Sequence, residues 1–102
     1  MEEIQGQATV AQVELWKKQY GEIVEARANG HVAYFKKPSK AQVSYAMSLQ
    51  QQNKILEMLE TVLKGCYVSG SRVFIDDVDY ILGCAGIVDL LVSAKQVELK
   101  NL

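Results

Sequence analysis

The sequence predicts an α+β fold in which an N-terminal helix and a two-stranded antiparallel hairpin are followed by three to four packed helices. Three observations support this: a capping pattern near the N-terminus, an Asn-Gly pair between two β-rich runs, and helical apolar spacing through the second half. The chain has 102 residues and is 49% hydrophobic, so it can form one core without metal or disulfide. We expect residues 1–8 to be a flexible lead-in and residues 9–102 to form a single α+β domain.

The first helix is predicted over residues 10–20. Thr9 stands at the N-cap, and Gln12, three residues later, completes a capping box. Apolar side chains then recur at helical spacing, at Val13, Trp16 and Tyr20. Gly21 follows where a glycine commonly terminates a helix.

The hairpin is predicted from Asn29-Gly30, which suits a type I′ turn because both central residues need positive φ. The flanking runs cover residues 22–28 and 31–37. A two-residue loop sets the register, placing Ala28 opposite His31, Ala26 opposite Ala33 and Val24 opposite Phe35. We expect the face carrying these last four residues to be buried, and the outer edges of the ribbon to remain free for another strand.

Two further helices follow Pro38. Ser39 and Gln42 form a second capping box, and the polar stretch at 50–53 separates this helix from the next. The next helix carries a clean apolar arc, formed by Ile55, Leu56, Met58, Leu59, Val62 and Leu63. It is predicted to be the central core helix.

The last third is predicted to contain a loop over 65–71 and then a short apolar run, 73–75, which is either a strand fragment or a packed connector. Asp76 is placed to cap a helix over 77–82. Gly83 and Gly86 predict a break, after which helix resumes over 87–100.

Composition and motifs exclude several classes of function. The net charge of −1 argues against a dedicated nucleic-acid binder, and no apolar run reaches the roughly 20 residues of a membrane helix. The glycine spacing over 65–72 lacks the P-loop lysine and follows a helix instead of a strand. Cys66 and Cys84 offer too few ligands for zinc, and His31 has no triad partners nearby in the sequence. We therefore expect no enzyme activity, no cofactor and no metal.

The last predicted helix is apolar over more than 200° of its circumference, more than one core contact requires. One arc contains Ile87, Leu90, Leu91, Ala94 and Val97. A second, roughly 120° away, contains Val88, Val92 and Leu99. Either the helix lies between two layers of its own domain, or the second arc binds a partner. Val88, Val92 and Leu99 are the candidate partner-binding residues.

Five segments, in order and spacing, resemble the small tail assembly chaperones of tailed bacteriophages and prophages. They are Trp16-Lys-Lys-Gln-Tyr-Gly21, Tyr34-Phe35-Lys-Lys-Pro-Ser39, Cys66-Tyr-Val-Ser-Gly70, Asp76-Asp77 and the ending Lys95–Leu102. The resemblance spans about residues 13–102. It implies a non-enzymatic protein that keeps the long helical tape-measure protein soluble until tail-tube subunits polymerise around it. It supplies no catalytic residues and no defined binding motif.

The resemblance also implies partners and a location. The tape-measure protein is the implied client, the tail-tube protein is a second candidate, and self-association is left open. The site of action is the cytoplasm of the host bacterial cell, which agrees with two unpaired thiols. Some relatives are also made in a longer frameshifted form, and this chain is expected to correspond to the short form.

Two other functions remain open at this point. The main alternative is a small ligand-binding or regulatory domain with an enclosed pocket, and a weaker one is an enzyme subunit. A deep cavity with convergent polar groups would favour the ligand binder. Neighbouring genes for a tail protein and a very long helical protein would favour the chaperone.

Overall fold

The computed structural model describes residues 4–92 and 97–102, and it has the predicted mixed α+β architecture. The elements are α1 (Val10–Tyr20), β1 (Ile23–Ala28), β2 (His31–Lys36), α2 (Lys40–Gln51), α3 (Ile55–Cys66), β3 (Tyr67–Gly70), α4 (Val73–Asp76), α5 (Val78–Gly83) and α6 (Ala85–Leu91). The three strands form one antiparallel sheet in the order β1-β2-β3. None of the described helices has the length and apolar character needed to cross a membrane.

Both predicted capping boxes are present. The Thr9 hydroxyl accepts from the backbone N–H of Gln12, whose side chain accepts from the backbone N–H of Thr9. Ser39 and Gln42 make the same reciprocal pair at the start of α2. Gly21 ends α1 with a positive φ of 86°. Local sequence therefore sets both ends of α1 and the start of α2.

The hairpin has the predicted register, with Val24 opposite Phe35, Ala26 opposite Ala33 and Ala28 opposite His31. Asn29 and Gly30 both have positive φ, 50° and 78°, as a type I′ turn requires. On the predicted inner face Ala26, Ala33 and Phe35 are buried and Val24 packs against them.

The outer face of the sheet is also partly covered. Val32 and Tyr34 are buried there. The Trp16 ring of α1 lies 5.3 Å from the Tyr34 ring, centroid to centroid, and the Tyr34 hydroxyl accepts from the backbone N–H of Ala8. Helix α1 itself contributes no buried residue. Helix α1 therefore covers part of the outer face of the sheet, although none of its own side chains is buried.

The start of the described chain is attached to β2. The N–H of Gln5 donates to the carbonyl of Gly30 and the carbonyl of Gln5 accepts from Val32, both at 2.8 Å. This forms a single parallel bridge beside His31. The sequence predicted no such pairing within residues 1–8. Residues 1–3 lie outside the described residues.

The predicted loop over 65–71 is wrong, because Tyr67–Gly70 forms β3 against β2. Gly70 has a φ of 114°, and a Cβ there would lie 2.5 Å from the Ala33 Cα. Glycine thus permits the close approach of the two strands. The run 73–75 is also no strand: it lies within the short helix α4, with Phe74 and Ile75 buried.

Two predicted boundaries near the C-terminus need correction. Asp77, not Asp76, caps α5, its carboxylate accepting from the N–H of Asp79 at 2.9 Å. The predicted helix over 87–100 is shorter, since α6 ends at Leu91, and residues 97–102 have no regular structure. Leu91 is the last fully buried residue described, and Val92 is the last one described as packing against the core. The part of that prediction over 93–96 lies outside the described residues.

The core lies between the inner face of the sheet and the helices. Helix α3 is central, as predicted, and contributes Leu59, Val62, Leu63 and Cys66. Helices α5 and α6 pack on it through Ile81, Cys84, Val88 and Leu91. No polar or charged residue is buried in the described part of the chain.

Candidate interaction surface

The three residues predicted to bind a partner do not form one surface. Val88 is 0% exposed, because α6 packs against both α3 and β1. Its assignment to a binding surface is therefore wrong, and the alternative of a helix between two layers holds for this residue. Val92 is partly buried against the core, whereas Leu99 is 95% exposed. For Val92 and Leu99, partner binding stays a prediction.

The first turn of α3 presents two apolar side chains to solvent, Ile55 at 46% exposure and Leu56 at 40%. Both lie in the same apolar arc as the buried residues of α3. The next core residue along the helix, Leu59, is only 4% exposed. The apolar stripe of α3 therefore extends one turn beyond the core, and we call Ile55 and Leu56 the α3 patch.

Helix α5 carries a second exposed pair. Val78 and Leu82 are one turn apart on the same side of α5 and about half exposed. Ile81, between them in sequence, is buried. Tyr80 lies on the other flank, where its ring contacts Phe74 edge to face at 5.4 Å. We call Val78 and Leu82 the α5 patch.

The sequence contained part of the signal for these patches. Periodicity placed Ile55 and Leu56 in the core arc, but it gives the direction of a side chain and not the point along the helix where the core ends. The spacing of Val78 and Leu82 was readable as one helix face. What was missing was the direction of that face relative to the core.

Two clefts open to solvent flank the sheet. The first, of about 180 Å³, lies between the turn end of the hairpin and α5 and α6. It is lined by Ala26, Arg27, Ala28, Asn29, Phe74, Asp79, Tyr80, Gly83, Cys84 and Ile87. The second, of about 360 Å³, lies between α1 and the outer face of the sheet. An enclosed cavity with convergent polar groups would indicate a ligand-binding domain. Neither of these two clefts is of that kind.

The groups that most often carry chemistry are dispersed. His31 Nδ1 lies 2.8 Å from the Ser71 hydroxyl, and its ring meets Tyr80 edge to face. This arrangement ties the hairpin to the segment after β3. Within residues 4–92 and 97–102, no three His, Cys, Asp or Glu side chains are grouped so as to hold a metal ion.

The cysteines are buried and free. Burial raises the pKa of the Cys66 thiol from 9.0 to about 11, with nearby Lys36 opposing the shift, and burial also raises the pKa of Cys84. A thiol with a raised pKa is a weak nucleophile at neutral pH. Both side chains therefore act as core residues, as the sequence predicted.

The raised pKa of Cys66 predicts a loss of stability at alkaline pH. The folded chain retains the Cys66 proton to higher pH than the unfolded chain, so stability falls as pH rises from about 9 to about 11. Urea unfolding across this range should show a decline that is smaller in Cys66→Ala. Equal declines in both proteins would contradict the assignment of the loss to Cys66.

Strand β1 forms one edge of the sheet. In the observed register Val24, Ala26 and Ala28 exchange hydrogen bonds with β2, so the backbone groups of Ile23, Glu25 and Arg27 point away from it. The side chains of Glu25 and Arg27 lie on the outer face, about half exposed and 3.3 Å apart. Of the two hairpin edges that the sequence predicted to be free, the β1 edge is free in the described structure, whereas the β2 edge pairs with β3.

These surfaces can bind another protein through apolar contacts and through pairing with an added strand. The features that form a surface are the α3 patch, the α5 patch and the β1 edge, and further apolar side chains are exposed on α1 and α2, among them Leu15 and Tyr45. Comparisons with protein-family models, curated proteins and solved structures find no match to this chain.

Proposed function

We propose that this chain is a non-enzymatic tail assembly chaperone of a tailed bacteriophage or prophage, which binds the tape-measure protein and keeps it soluble during tail assembly. The observation that carries the proposal is the pair of apolar patches on α3 and α5. The resemblance over residues 13–102 supplies the class of client. The proposal places the protein in the cytoplasm of the host cell, where two free thiols are compatible with the reducing conditions.

The patches suit a helical client. An amphipathic helix binds by laying its apolar face against apolar side chains, at spacings of three and four residues. Val78 and Leu82 have that spacing, and the α3 patch continues a helix stripe that already packs against other helices. Contacts of this kind are specific for apolar periodicity more than for sequence, which suits a long client with many similar segments.

Each patch is small compared with a stable interface, which buries roughly 1,200–2,000 Å² in total. A single copy would therefore bind weakly and exchange quickly. Several copies bound along one client would keep it soluble, because each bound copy shields a further apolar segment from aggregation. Weak individual binding also permits release when tail-tube subunits replace the chaperone.

The patches can be tested by co-expression with a tape-measure protein from the same phage or prophage. Val78→Ser with Leu82→Ser, and separately Ile55→Ser with Leu56→Ser, should lower the yield of soluble, co-purified client roughly tenfold, since each pair loses about 1–2 kcal/mol of apolar contact. The variants should remain folded, because all four side chains are exposed. Yield is measured by pull-down and by the soluble fraction of the client.

Leu15→Ser is the matched control, since Leu15 is exposed on α1, outside both patches. It should leave client yield unchanged. A client that is equally soluble with all variants and with no chaperone would contradict the proposed function. Equal loss with the control would show that the patches have no special role.

A further inference from the structure

The C-terminal segment has the pattern of a β-strand although it has no regular structure in this chain. Residues 97–102 read Val-Glu-Leu-Lys-Asn-Leu. In an extended conformation Val97, Leu99 and Asn101 would share one face, with Glu98, Lys100 and Leu102 on the other. Val97, Leu99 and Leu102 are largely or fully exposed. Six residues is also the length of β1.

The charges of this segment complement those of the β1 edge in one antiparallel register. That register places Glu98 opposite Arg27, Lys100 opposite Glu25 and Leu102 opposite Ile23, giving two opposite-charge pairs and one apolar pair. These three β1 residues are the ones whose backbone groups point away from β2. The same pairs would therefore exchange hydrogen bonds.

Neighbouring registers are disfavoured by the same charges. A shift of two residues in one direction places Lys100 opposite Arg27, and a shift in the other places Glu98 opposite Glu25. Like charges directly opposite one another destabilise strand pairing. A shift of one residue moves every side chain to the wrong face of the sheet. The complementary register is thus singled out by sequence.

The first cleft, which Ala26 and Ala28 of β1 help to line, would receive the apolar side chains of an added strand. In this register Val97 and Leu99 lie beside Ala28 and Ala26, which are small and line the first cleft. The lining of that cleft also includes Tyr80 and Ile87. The added strand would place two exposed apolar side chains beside this lining, which is apolar apart from Arg27, Asn29 and Asp79.

We propose that residues 97–102 of one copy of this chain add as a fourth, antiparallel strand to β1 of a second copy. The segment is exposed in its own chain and leaves its own β1 edge unpaired. Each copy offers one edge and one segment, so the contact is head to tail and generates a ring or an open row of copies. The proposal does not depend on the client, because every test uses this chain alone.

Self-association is tested first by sedimentation of the full chain against a variant lacking residues 97–102. The full chain should show a mass that rises with concentration, whereas the shortened variant should stay monomeric. A full chain that remains monomeric up to about 1 mM overturns the proposal. So does association that survives the deletion.

Charge exchange tests the register. Arg27→Glu and Glu98→Arg, as single variants, should each weaken self-association roughly three- to tenfold, since each replaces an opposite-charge pair by a like-charge pair. A chain with both changes should associate within about twofold of the original. Failure of the double variant to recover overturns the proposed register, because a general loss of folding would not be reversed by a second change.

Crosslinking between separate chains tests whether the added strand comes from a second copy. Ala28 and Val97 would be a directly opposite, non-hydrogen-bonded pair with Cα atoms about 4.5 Å apart, which suits a disulfide. A mixture of Ala28→Cys and Val97→Cys chains should form a mixed dimer on mild oxidation. The matched mixture of Ala28→Cys and Leu102→Cys, five residues out of register, should not. A disulfide that forms only when both cysteines are on one chain overturns the second copy as occupant.

Discussion

Phe35→Ala is expected to lower the free energy of unfolding by about 3–5 kcal/mol, the largest effect of any substitution we consider. The Phe35 side chain is fully buried on the inner face of β2, and its ring meets Tyr67 of β3 edge to face at 6.2 Å between centroids. Truncation removes contacts to the sheet and to the helices together, and the cavity lies where both layers meet. The loss is measured by urea unfolding, in which the slope of the free energy of unfolding against urea concentration should be the same as for the original chain.

Tyr45→Ala is the matched control, since Tyr45 is an aromatic residue exposed on α2. Its truncation should cost less than about 0.5 kcal/mol. Because a loss of 5 kcal/mol approaches the total stability of a small domain, Phe35→Leu provides a milder variant that stays measurable. A Phe35→Ala protein as stable as the control would show that the core is misplaced.

Val88→Ser is expected to destabilise the chain by about 2–3 kcal/mol, whereas Leu99→Ser should have almost no effect on stability. The two residues were assigned to one arc from the sequence, but Val88 is fully buried and Leu99 is almost fully exposed. Substitution at Val88 removes methyl groups from a packed core and adds a hydroxyl there. The same substitution at Leu99 changes a side chain that is already in contact with water, so it removes no packing.

Thermal melts of the two single variants measure this difference. A destabilised Val88→Ser protein that also lost client binding would not report on a binding surface, since the loss would follow from unfolding. Equal stability of the two variants would contradict the placement of α6 between α3 and β1.

Local sequence signals predicted the elements whose limits are set by local chemistry. The capping residues Thr9 and Ser39 and the turn residues Asn29 and Gly30 act within four residues of themselves, and each was found in its predicted role. The hairpin register followed from the turn alone.

Features that depend on distant contacts were not predictable in the same way. Tyr67–Gly70 becomes a strand because β2 lies beside it, and Gly70 reads as a loop residue until its close approach to Ala33 is known. Likewise, periodicity could not show that α6 ends at Leu91 or that Ile55 lies beyond the core. The candidate patches belong to this second group, because the spacing of their residues is visible in the sequence but their exposure is not.

The pairing of Gln5 with β2 has a consequence for neighbouring molecules. The N–H and carbonyl of Gln5 occupy the backbone positions beside Gly30 and Val32, at the turn end of β2. Gly6 sits so close to this strand that a Cβ there would lie 2.2 Å from the Val32 carbonyl oxygen. These residues cover the turn end of the β2 edge. Without them, an unpaired stretch of β2 would be open to strands from other chains and to aggregation.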